Sequence, residues 1–262
     1  MKRFVRSMAA MIAALLVAFA FTGLAETGAE KPVKTGIIGA MDEEVDALKE
    51  AMTEKEVRLV AGAEFHAGKL DGQDVVVVKC GVGKVNAAAC TQVMIDVFGV
   101  DRIINTGVAG SLDAEIDIGD IVVSTEAVQH DVDATVFGYA RGEIPNSGQF
   151  IFPADEEMRR SAAQAVREMA PDIRVFEGLV CSGDQFIASH KQKEAIISEF
   201  GGLCCEMEGA AIAQVCCLND IPFVIIRAIS DKADDSEEMS YVEFEHAAAE
   251  RCAAITRYMI TH

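Results

Sequence analysis

Phe223-Val-Ile-Ile226 is an uninterrupted apolar run, and Arg227-Ala-Ile-Ser-Asp231 follows it directly. Such a run predicts a strand covered on both faces, because a strand with one solvent face would alternate apolar and polar residues. Val75-Val-Val-Val78, much earlier in the chain, has the same pattern. The two runs therefore favour a sheet that has helices on both sides.

Further strand-like and helix-like segments alternate along the rest of the chain. The predicted strands are Thr35–Ile38, Asp74–Val78, Arg102–Asn105, Asp120–Ser124, Ile173–Val180 and Pro222–Ile229. The predicted amphipathic helices are Asp42–Ala51, Lys84–Phe98, Asp155–Met169, Lys191–Phe200, Glu208–Leu218 and Tyr241–Tyr258. This alternation predicts one layered α/β domain over residues 34–262, in which ligands bind where strands end.

The composition excludes some classes of partner. The 262 residues include 42 Asp and Glu against 23 Lys and Arg, and the formal net charge is −19. An acidic surface repels a nucleic-acid backbone and an anionic membrane surface. We therefore expect a small-molecule substrate and no nucleic-acid partner.

The N-terminus has the pattern of a secretory signal. Lys2, Arg3 and Arg6 precede an uncharged, apolar stretch over residues 7–25 that ends in small residues. We interpret residues 1–25 as a cleaved signal peptide and residues 26–33 as a linker, which predicts an exported (periplasmic or extracellular) protein. The stretch is long enough that an uncleaved membrane anchor remains an alternative, as does an ordinary core helix.

Two groups of residues resemble a metal site or a set of disulfide bonds. The eight cysteines contain no Cys-x-x-Cys pair and no zinc-type spacing, so we expect small buried thiols. His130-Asp-Val-Asp133 provides one histidine and two carboxylates, which fits a polar loop better than a metal site. The sequence therefore predicts neither a metal nor another cofactor.

Acidic residues follow several of the predicted strands. Gly36-Ile-Ile-Gly-Ala-Met-Asp-Glu-Glu44 runs from a strand into a helix that begins with three acids. These acids could simply favour the helix dipole, or they could activate water where a phosphate would be repelled. Glu206-Met-Glu208 and Asp231 supply further carboxylates, and a desolvated Asp231 could act as a general acid. Converging carboxylates suit the cleavage of a glycosidic bond.

Two glycine-rich segments complete the set of strand ends. Cys80-Gly-Val-Gly-Lys-Val-Asn86 lacks the spacing of a phosphate loop and is interpreted as a structural turn. Asn105-Thr-Gly-Val-Ala-Gly-Ser111 is small enough for a planar ligand to approach its backbone. The residues alone therefore indicate an α/β enzyme with an acidic pocket that binds no phosphate.

Five motifs together resemble the 5′-methylthioadenosine/S-adenosylhomocysteine nucleosidase family over about residues 34–260. They are, in order, Gly36–Glu44, Asn105–Gly110, Ser182-Gly-Asp-Gln-Phe-Ile187, Glu206–Glu208 and Arg227–Asp231. The resemblance implies a three-layer αβα sandwich with a central mixed β-sheet, of the nucleoside phosphorylase type, and a homodimer. It also implies hydrolysis of methylthioadenosine, S-adenosylhomocysteine and 5′-deoxyadenosine to adenine and a ribose product.

The same resemblance implies roles for individual residues. Glu44 matches the base that activates water at C1′, Asp231 the acid that protonates N7 of adenine, and Glu208 the carboxylate that binds the ribose hydroxyls. Further substrate contacts are implied for Gly110, Phe186, Ile187 and Met207. The resemblance implies that the apolar pocket for the 5′-thio substituent is lined by Met41, Val82, Phe137, Tyr139 and Tyr241. It places Phe137 and Tyr139 near the partner subunit's site.

The sequence departs from the family at one position near the site. Val108 stands where better-known members have a serine close to the catalytic acid, which leaves Ser230 as a possible helper. Two rival functions are a phosphorylase and an exported binding protein without catalysis. The acids at residues 42–44 disfavour a phosphorylase, since phosphate is usually held by arginine. Retention of Glu44, Glu208 and Asp231 disfavours a passive binder.

Overall fold

A mixed ten-stranded sheet organises the part of the chain that the computed structural model describes, namely residues 32–233 and 237–262, with side chains for 32–233 and 246–262. The strands are β1 (Thr35–Gly39), β2 (Thr53–Val60), β3 (Ala63–Leu70), β4 (Gln73–Lys79), β5 (Arg102–Ser111), β6 (Ile121–Gln129), β7 (Ile151–Pro153), β8 (Val175–Ser182), β9 (Cys204–Glu206) and β10 (Phe223–Asp231). The helices are α1 (Asp42–Ala51), α2 (Lys84–Phe98), α3 (Glu156–Met169), α4 (His190–Phe200), α5 (Gly209–Leu218) and α6 (Glu237–Thr261).

The sheet is open at one end and closed at the other. Strands β2, β3, β4 and β1 lead to β5, with an antiparallel β2–β3–β4 meander and parallel pairings of β1 with β4 and β5. Strand β5 pairs with both β10 and β9, and β6 and β8 complete a ring between those two. Strand β7 adds to β6. The ring places the end of β10 beside β5 and β9, where the candidate site lies.

Helices cover both faces of the sheet, which confirms the predicted three-layer α/β/α architecture. Helices α2 and α5 pack in one buried cluster, and α1, α3 and α6 pack in another. Val76 and Val78 belong to the first cluster, whereas Val75 and Val77 belong to the second. Successive strand side chains point to opposite faces, so the uninterrupted valine run is the direct consequence of two covered faces.

The structure contains strands that the sequence patterns did not predict. Strand β2 is almost entirely exposed and mostly polar, and it joins β3 through Ala61 and Gly62, both with positive φ (50° and 83°). An exposed edge hairpin lacks the apolar alternation on which the prediction depended. The short strands β7 and β9, of three residues each, were also missed. Helices α1 and α2 begin and end where they were predicted.

The described residues from Val33 to His262 form one compact unit. The predicted signal segment, residues 1–25, and residues 26–31 of the predicted linker lie outside the described residues. Within the described ranges, we find no helix that combines the length and the apolar character needed to cross a bilayer.

Candidate active site

A cleft opens where β1 ends and is lined by parts of β5, β9 and β10. Its cavity volume is about 150 Å³. Nine of the twelve predicted site residues line it: Met41, Glu44, Val82, Gly110, Phe186, Ile187, Met207, Glu208 and Asp231. The structure therefore brings together residues that are up to 190 positions apart (231 − 41).

Glu44 is the one acid of the Asp42–Glu44 run that lines the cleft. Its carboxylate accepts hydrogen bonds from the backbone N–H groups of Ala40 (2.6 Å), Met41 (3.1 Å) and Val108 (3.1 Å). Burial raises the pKa of Glu44, although Arg227 and these N–H groups act in the opposite direction. Asp42 instead pairs with Lys79 at 2.7 Å in an exposed position. Of this acidic run, Glu44 therefore belongs to the cleft and Asp42 to the protein surface.

Arg227 is buried at the centre of the cleft floor, with 1% of its surface exposed. Its guanidinium donates to Glu206 and, at 2.7 Å, to Asn105 Oδ1. It also lies 3.6 Å from Glu208 Oε2 and 3.9 Å from Glu44 Oε1. A buried charge is tolerated only where it is paired, so three carboxylates around one guanidinium account for its burial. The same carboxylates also weaken the attraction of Arg227 for any other anion.

Glu206 ends β9 and Glu208 immediately precedes α5, and the two carboxylates have different partners. Glu206 accepts hydrogen bonds from the Ser182 hydroxyl and from the backbone N–H groups of Glu208 (3.0 Å) and Gly209 (2.8 Å). Glu208 accepts from the backbone N–H of Gly83 at 2.8 Å. Burial and the neighbouring Glu206 charge raise the pKa of Glu208 to about 7, against the lowering effect of Arg227. Glu208 therefore retains acceptor capacity for a ligand, whereas Glu206 is used in holding the fold.

Asp231 lies at the end of β10, where a bulge interrupts the pairing with β5 between Ile229 and Asp231. The Ser230 hydroxyl donates to Asp231 Oδ2 at 2.8 Å, and the Ala233 N–H donates to Oδ1 at 2.9 Å. A β-carbon on Gly110 would lie 2.6 Å from Oδ1. The bulge aims the side chain, and the glycine leaves room for it. Ser230 is thus in contact with the acid that Val108 cannot support.

The connection between β8 and α4 forms one wall of the cleft. Phe186 is 53% exposed at the mouth, while Ile187 next to it is buried. Both line the cleft with Met207. A partly exposed aromatic ring beside apolar side chains offers a surface on which a planar heteroaromatic ring can stack.

Known proteins resemble the chain over nearly all of its described length. Residues 34–261 match the Phosphorylase superfamily. The chain is 44% identical over 230 residues to the 5′-methylthioadenosine/S-adenosylhomocysteine nucleosidase of Geobacillus thermodenitrificans, which covers 87% of this chain and 97% of that protein. It is 42% identical over 230 residues to the nucleosidase of Geobacillus sp. WCH70, covering 87% and 98%.

A solved structure agrees with these relatives. The 5′-methylthioadenosine/S-adenosylhomocysteine nucleosidase from Colwellia psychrerythraea 34H, crystallised in complex with adenine, superposes with a TM-score of 0.85 at 40% identity, covering 88% of this chain and 96% of that one. This chain belongs to the 5′-methylthioadenosine/S-adenosylhomocysteine nucleosidase family. The resemblance drawn from the five motifs is confirmed.

Two residues that the family resemblance assigned to the 5′-thio pocket, Phe137 and Tyr139, are not among the described residues that line the cleft. Phe137 ends a short 3₁₀ turn and is 79% exposed, and Tyr139 follows it on the same loop. Their expected position at a partner's site stays a prediction. Tyr241 lies in α6, and its side chain is outside the described residues.

Sequence reasoning did not assign a role to Arg227 or Glu206, which line the cleft of this nucleosidase-family protein, or to Asn105, which accepts a hydrogen bond from Arg227. A signal for Arg227 was present, since a charged residue inside an otherwise apolar strand must find buried partners. Which carboxylates those partners are depends on the packing of β5, β9 and β10, and no local pattern contains that information.

The cysteines and the His130–Asp133 loop match their sequence interpretation. All eight cysteines are free, seven of them are buried, and burial raises the pKa of Cys181 to about 12 and of Cys90 to about 11. Asp131 pairs with Lys84, and Asp133 pairs with Arg141. Among the described residues, no group of three or more His, Cys, Asp or Glu side chains is arranged to hold a metal ion.

Proposed function

We propose that this chain hydrolyses the N-glycosidic bond of 5′-methylthioadenosine and S-adenosylhomocysteine, and also of 5′-deoxyadenosine. Adenine leaves, and water supplies the new C1′ hydroxyl of 5-methylthioribose, S-ribosylhomocysteine or 5-deoxyribose. The observation that carries the proposal is the convergence of three buried carboxylates, Glu44, Glu208 and Asp231, on one cleft that also contains Phe186. An acid, a base and a charge-stabilising group are what such a cleavage requires.

Asp231 acts as the general acid and protonates N7, so that adenine departs as a neutral molecule. Ser230 assists because its hydroxyl lies 2.8 Å from Asp231 Oδ2 and 3.4 Å from the Ala109 carbonyl oxygen. A hydroxyl has one proton and two acceptor sites. It donates to Asp231 Oδ2 before and after proton transfer, so the acid's own proton stays available for N7. The acid is therefore held in place in both states.

Glu44 acts as the general base and takes a proton from the water that attacks C1′. Burial raises the pKa of Glu44, which makes it a stronger proton acceptor, while Arg227 and three backbone N–H groups oppose that rise. Glu208 accepts hydrogen bonds from the ribose hydroxyls. Its negative charge stabilises the positive charge that develops on the sugar ring as the bond to adenine lengthens.

The electrostatics of the cleft favour water over phosphate as the nucleophile. A phosphorylase would need a cation free to bind phosphate. Arg227 pairs with Glu206 and also lies beside Glu44 and Glu208. Its guanidinium is therefore already engaged by carboxylates of the protein when a phosphate enters the cleft.

We also propose that the protein is a homodimer in which Phe137 and Tyr139 reach the partner subunit's cleft. Exposed apolar side chains support this: Val136 is 84% exposed, and Val85, at the start of α2, is 79% exposed. Contiguous exposed apolar side chains mark association surfaces, and Val136 and Phe137 are adjacent in the chain and both exposed. Sedimentation equilibrium should give twice the mass of the chain, and a monomer would contradict the proposal.

Export is proposed from residues 1–25 alone. Mass spectrometry of the protein recovered from the producing cell, after fractionation, distinguishes the possibilities. A chain that begins near residue 26 in the periplasm or medium supports a cleaved signal. A full-length chain in the membrane fraction supports an anchor, and a full-length soluble chain in the cytoplasm contradicts both.

The proposed reaction is tested by adenine release from methylthioadenosine, followed by chromatography with and without phosphate. The full chain and a chain lacking residues 1–25 are assayed in parallel. Equal release in both buffers supports hydrolysis. Release that requires phosphate would identify a phosphorylase, and tight adenine binding without turnover would identify a binding protein.

A further inference from the structure

Three side chains outside the catalytic set connect the two loops that border the cleft mouth. Lys84 Nζ donates to Asp131 Oδ1 at 2.6 Å, and the backbone N–H of Asp184 donates to Asp131 Oδ2 at 2.9 Å. The backbone N–H of Lys84 donates to Asp184 Oδ1 at 2.8 Å. The three contacts form a closed cycle, which we call the clamp and define as Lys84, Asp131 and Asp184.

Two members of the clamp, Lys84 and Asp184, lie within two residues of side chains that line the cleft. Asp184 precedes Phe186 and Ile187 on the connection between β8 and α4. Lys84 follows Gly83, whose N–H donates to Glu208 Oε1. The clamp therefore links the aromatic wall of the cleft to the loop that holds the ribose-binding carboxylate.

The Lys84–Asp131 ion pair is partly shielded from water, with side chains 17% and 18% exposed. Charge-assisted hydrogen bonds in such places are stronger than surface pairs. Burial alone would raise the pKa of Asp131, but the Lys84 hydrogen bond and the Asp184 N–H hold it below its usual value. Asp131 is thus ionised in the neutral range and bound through both of its oxygens.

We propose that Lys84, Asp131 and Asp184 are positioning residues that hold the Phe186–Ile187 wall at a fixed distance from Glu208, so that adenine and ribose are gripped together. This inference rests on the proposed function. Without the clamp, the β8–α4 connection would be free to move away from Gly83. Substrate binding would weaken more than the chemical step, because the three side chains are not among the described residues that line the cleft.

Asp131→Asn tests the clamp with little change of shape. An amide has one oxygen in place of two, so its NH₂ group must face either the Lys84 ammonium or the Asp184 N–H, each of which is a donor. We expect KM for methylthioadenosine to rise about tenfold and kcat to change less than about threefold. Lys84→Met should have the same effect, the double variant should be no worse than either single one, and Lys84→Arg should restore most of the affinity.

A second measurement is independent of turnover. Hydrogen exchange of the unliganded full chain should become faster in Asp131→Asn at residues 80–86 and 182–189, and remain unchanged in β10. Asp74→Asn is the matched control. It removes the Lys69–Asp74 pair, with an N···O distance of 2.8 Å and side chains 34% and 30% exposed, on strands whose paired ends do not line the cleft.

The outcomes separate the two proposals. Faster exchange in both segments, together with a higher KM, supports the clamp. Unchanged exchange, an equal effect of Asp74→Asn, or a fall in kcat at constant KM would show that these residues do not position the wall. A wild-type chain that releases no adenine would overturn the proposed function, while the exchange experiment would still decide whether the clamp exists.

Discussion

The floor and the mouth of the cleft are built on opposite principles. On the floor, Glu44, Arg227 and Asp231 are buried on or beside central strands, and hydrogen bonds hold each of them. At the mouth, Phe186 and Val82 are half exposed on loops. Buried charged groups keep a fixed geometry because any displacement leaves one of them unpaired. The floor is therefore suited to chemistry, and the mouth to selecting and admitting a substrate.

If this division is correct, the largest loss follows from removing the acid on the floor. Asp231→Asn keeps the shape and the two hydrogen bonds to the carboxyl oxygens in part, but an amide cannot give a proton to N7. We expect kcat to fall by about 10³-fold or more, in the upper range of losses for general acids. Steady-state adenine release measures it, and an unchanged melting temperature shows that the fold is intact. Turnover near the wild-type rate would remove Asp231 from the mechanism.

Glu208→Gln is expected to cost less, because it removes charge but not proton transfer. The amide can still contact a ribose hydroxyl, so adenine binding should persist. The loss of transition-state stabilisation should lower kcat about 10²- to 10³-fold, as for other electrostatic groups. Adenine affinity by calorimetry and kcat by chromatography separate the two effects. Weak adenine binding with normal kcat would contradict the proposed role of Glu208 in stabilising the transition state.

Glu208 also predicts a pH dependence. Burial and the charge of Glu206 raise its pKa to about 7, while Arg227 and the Gly83 N–H favour the ionised form, and Glu44 opposes it. The ionised form is the active one in the proposed mechanism. Activity should therefore rise with pH through about 7, losing about tenfold per pH unit below that value. A profile of kcat/KM from pH 5 to 9 tests this, and a limb unchanged in Glu208→Gln would assign it to another group.

The same shift has a consequence for stability. An acid whose folded pKa is raised keeps its proton in the native state while the unfolded chain has lost it. Glu208 therefore makes the protein less stable as the pH rises from about 4.5, its usual pKa, to about 7. Part of the fall in melting temperature over this window should disappear in Glu208→Gln.

At the mouth, Phe186→Ala should act mainly on binding. The ring is partly exposed and a phenyl group cannot transfer a proton, so its loss removes stacking area. We expect KM to rise about tenfold and kcat to change little, since one aromatic contact is worth about 1 kcal/mol beyond its area. A large fall in kcat at constant KM would show that the mouth takes part in the chemistry.

The contrast between floor and mouth also explains what could be predicted from the sequence. The Val75–Val78 run and α1 were predicted because two covered faces and an amphipathic helix each leave a local pattern. The hairpin β2–β3 was missed because its exposed edge has no such pattern. Glu44, Glu208 and Asp231 were assigned to the site through the family resemblance, and all three line the cleft. The pairing of Arg227 with Glu206 and Asn105 was not predicted, because it depends on contacts 21 and 122 residues apart in the chain.

The smallest expected effect tests the one departure from the family on the floor. If Val108 deprived the acid of support, then Val108→Ser would raise activity. Ser230 already donates to Asp231 Oδ2, and the Val108 N–H that binds Glu44 belongs to the backbone and is unaffected. We therefore expect Val108→Ser to change kcat less than about threefold, whereas Ser230→Ala should lower it by about tenfold, the worth of one hydrogen bond to a charged group. The reverse order of the two effects would mean that position 108 supports the acid after all.

Burial of a hydroxyl at this position adds a modest cost in stability, so kcat must be compared at a temperature well below the melting temperature of both variants.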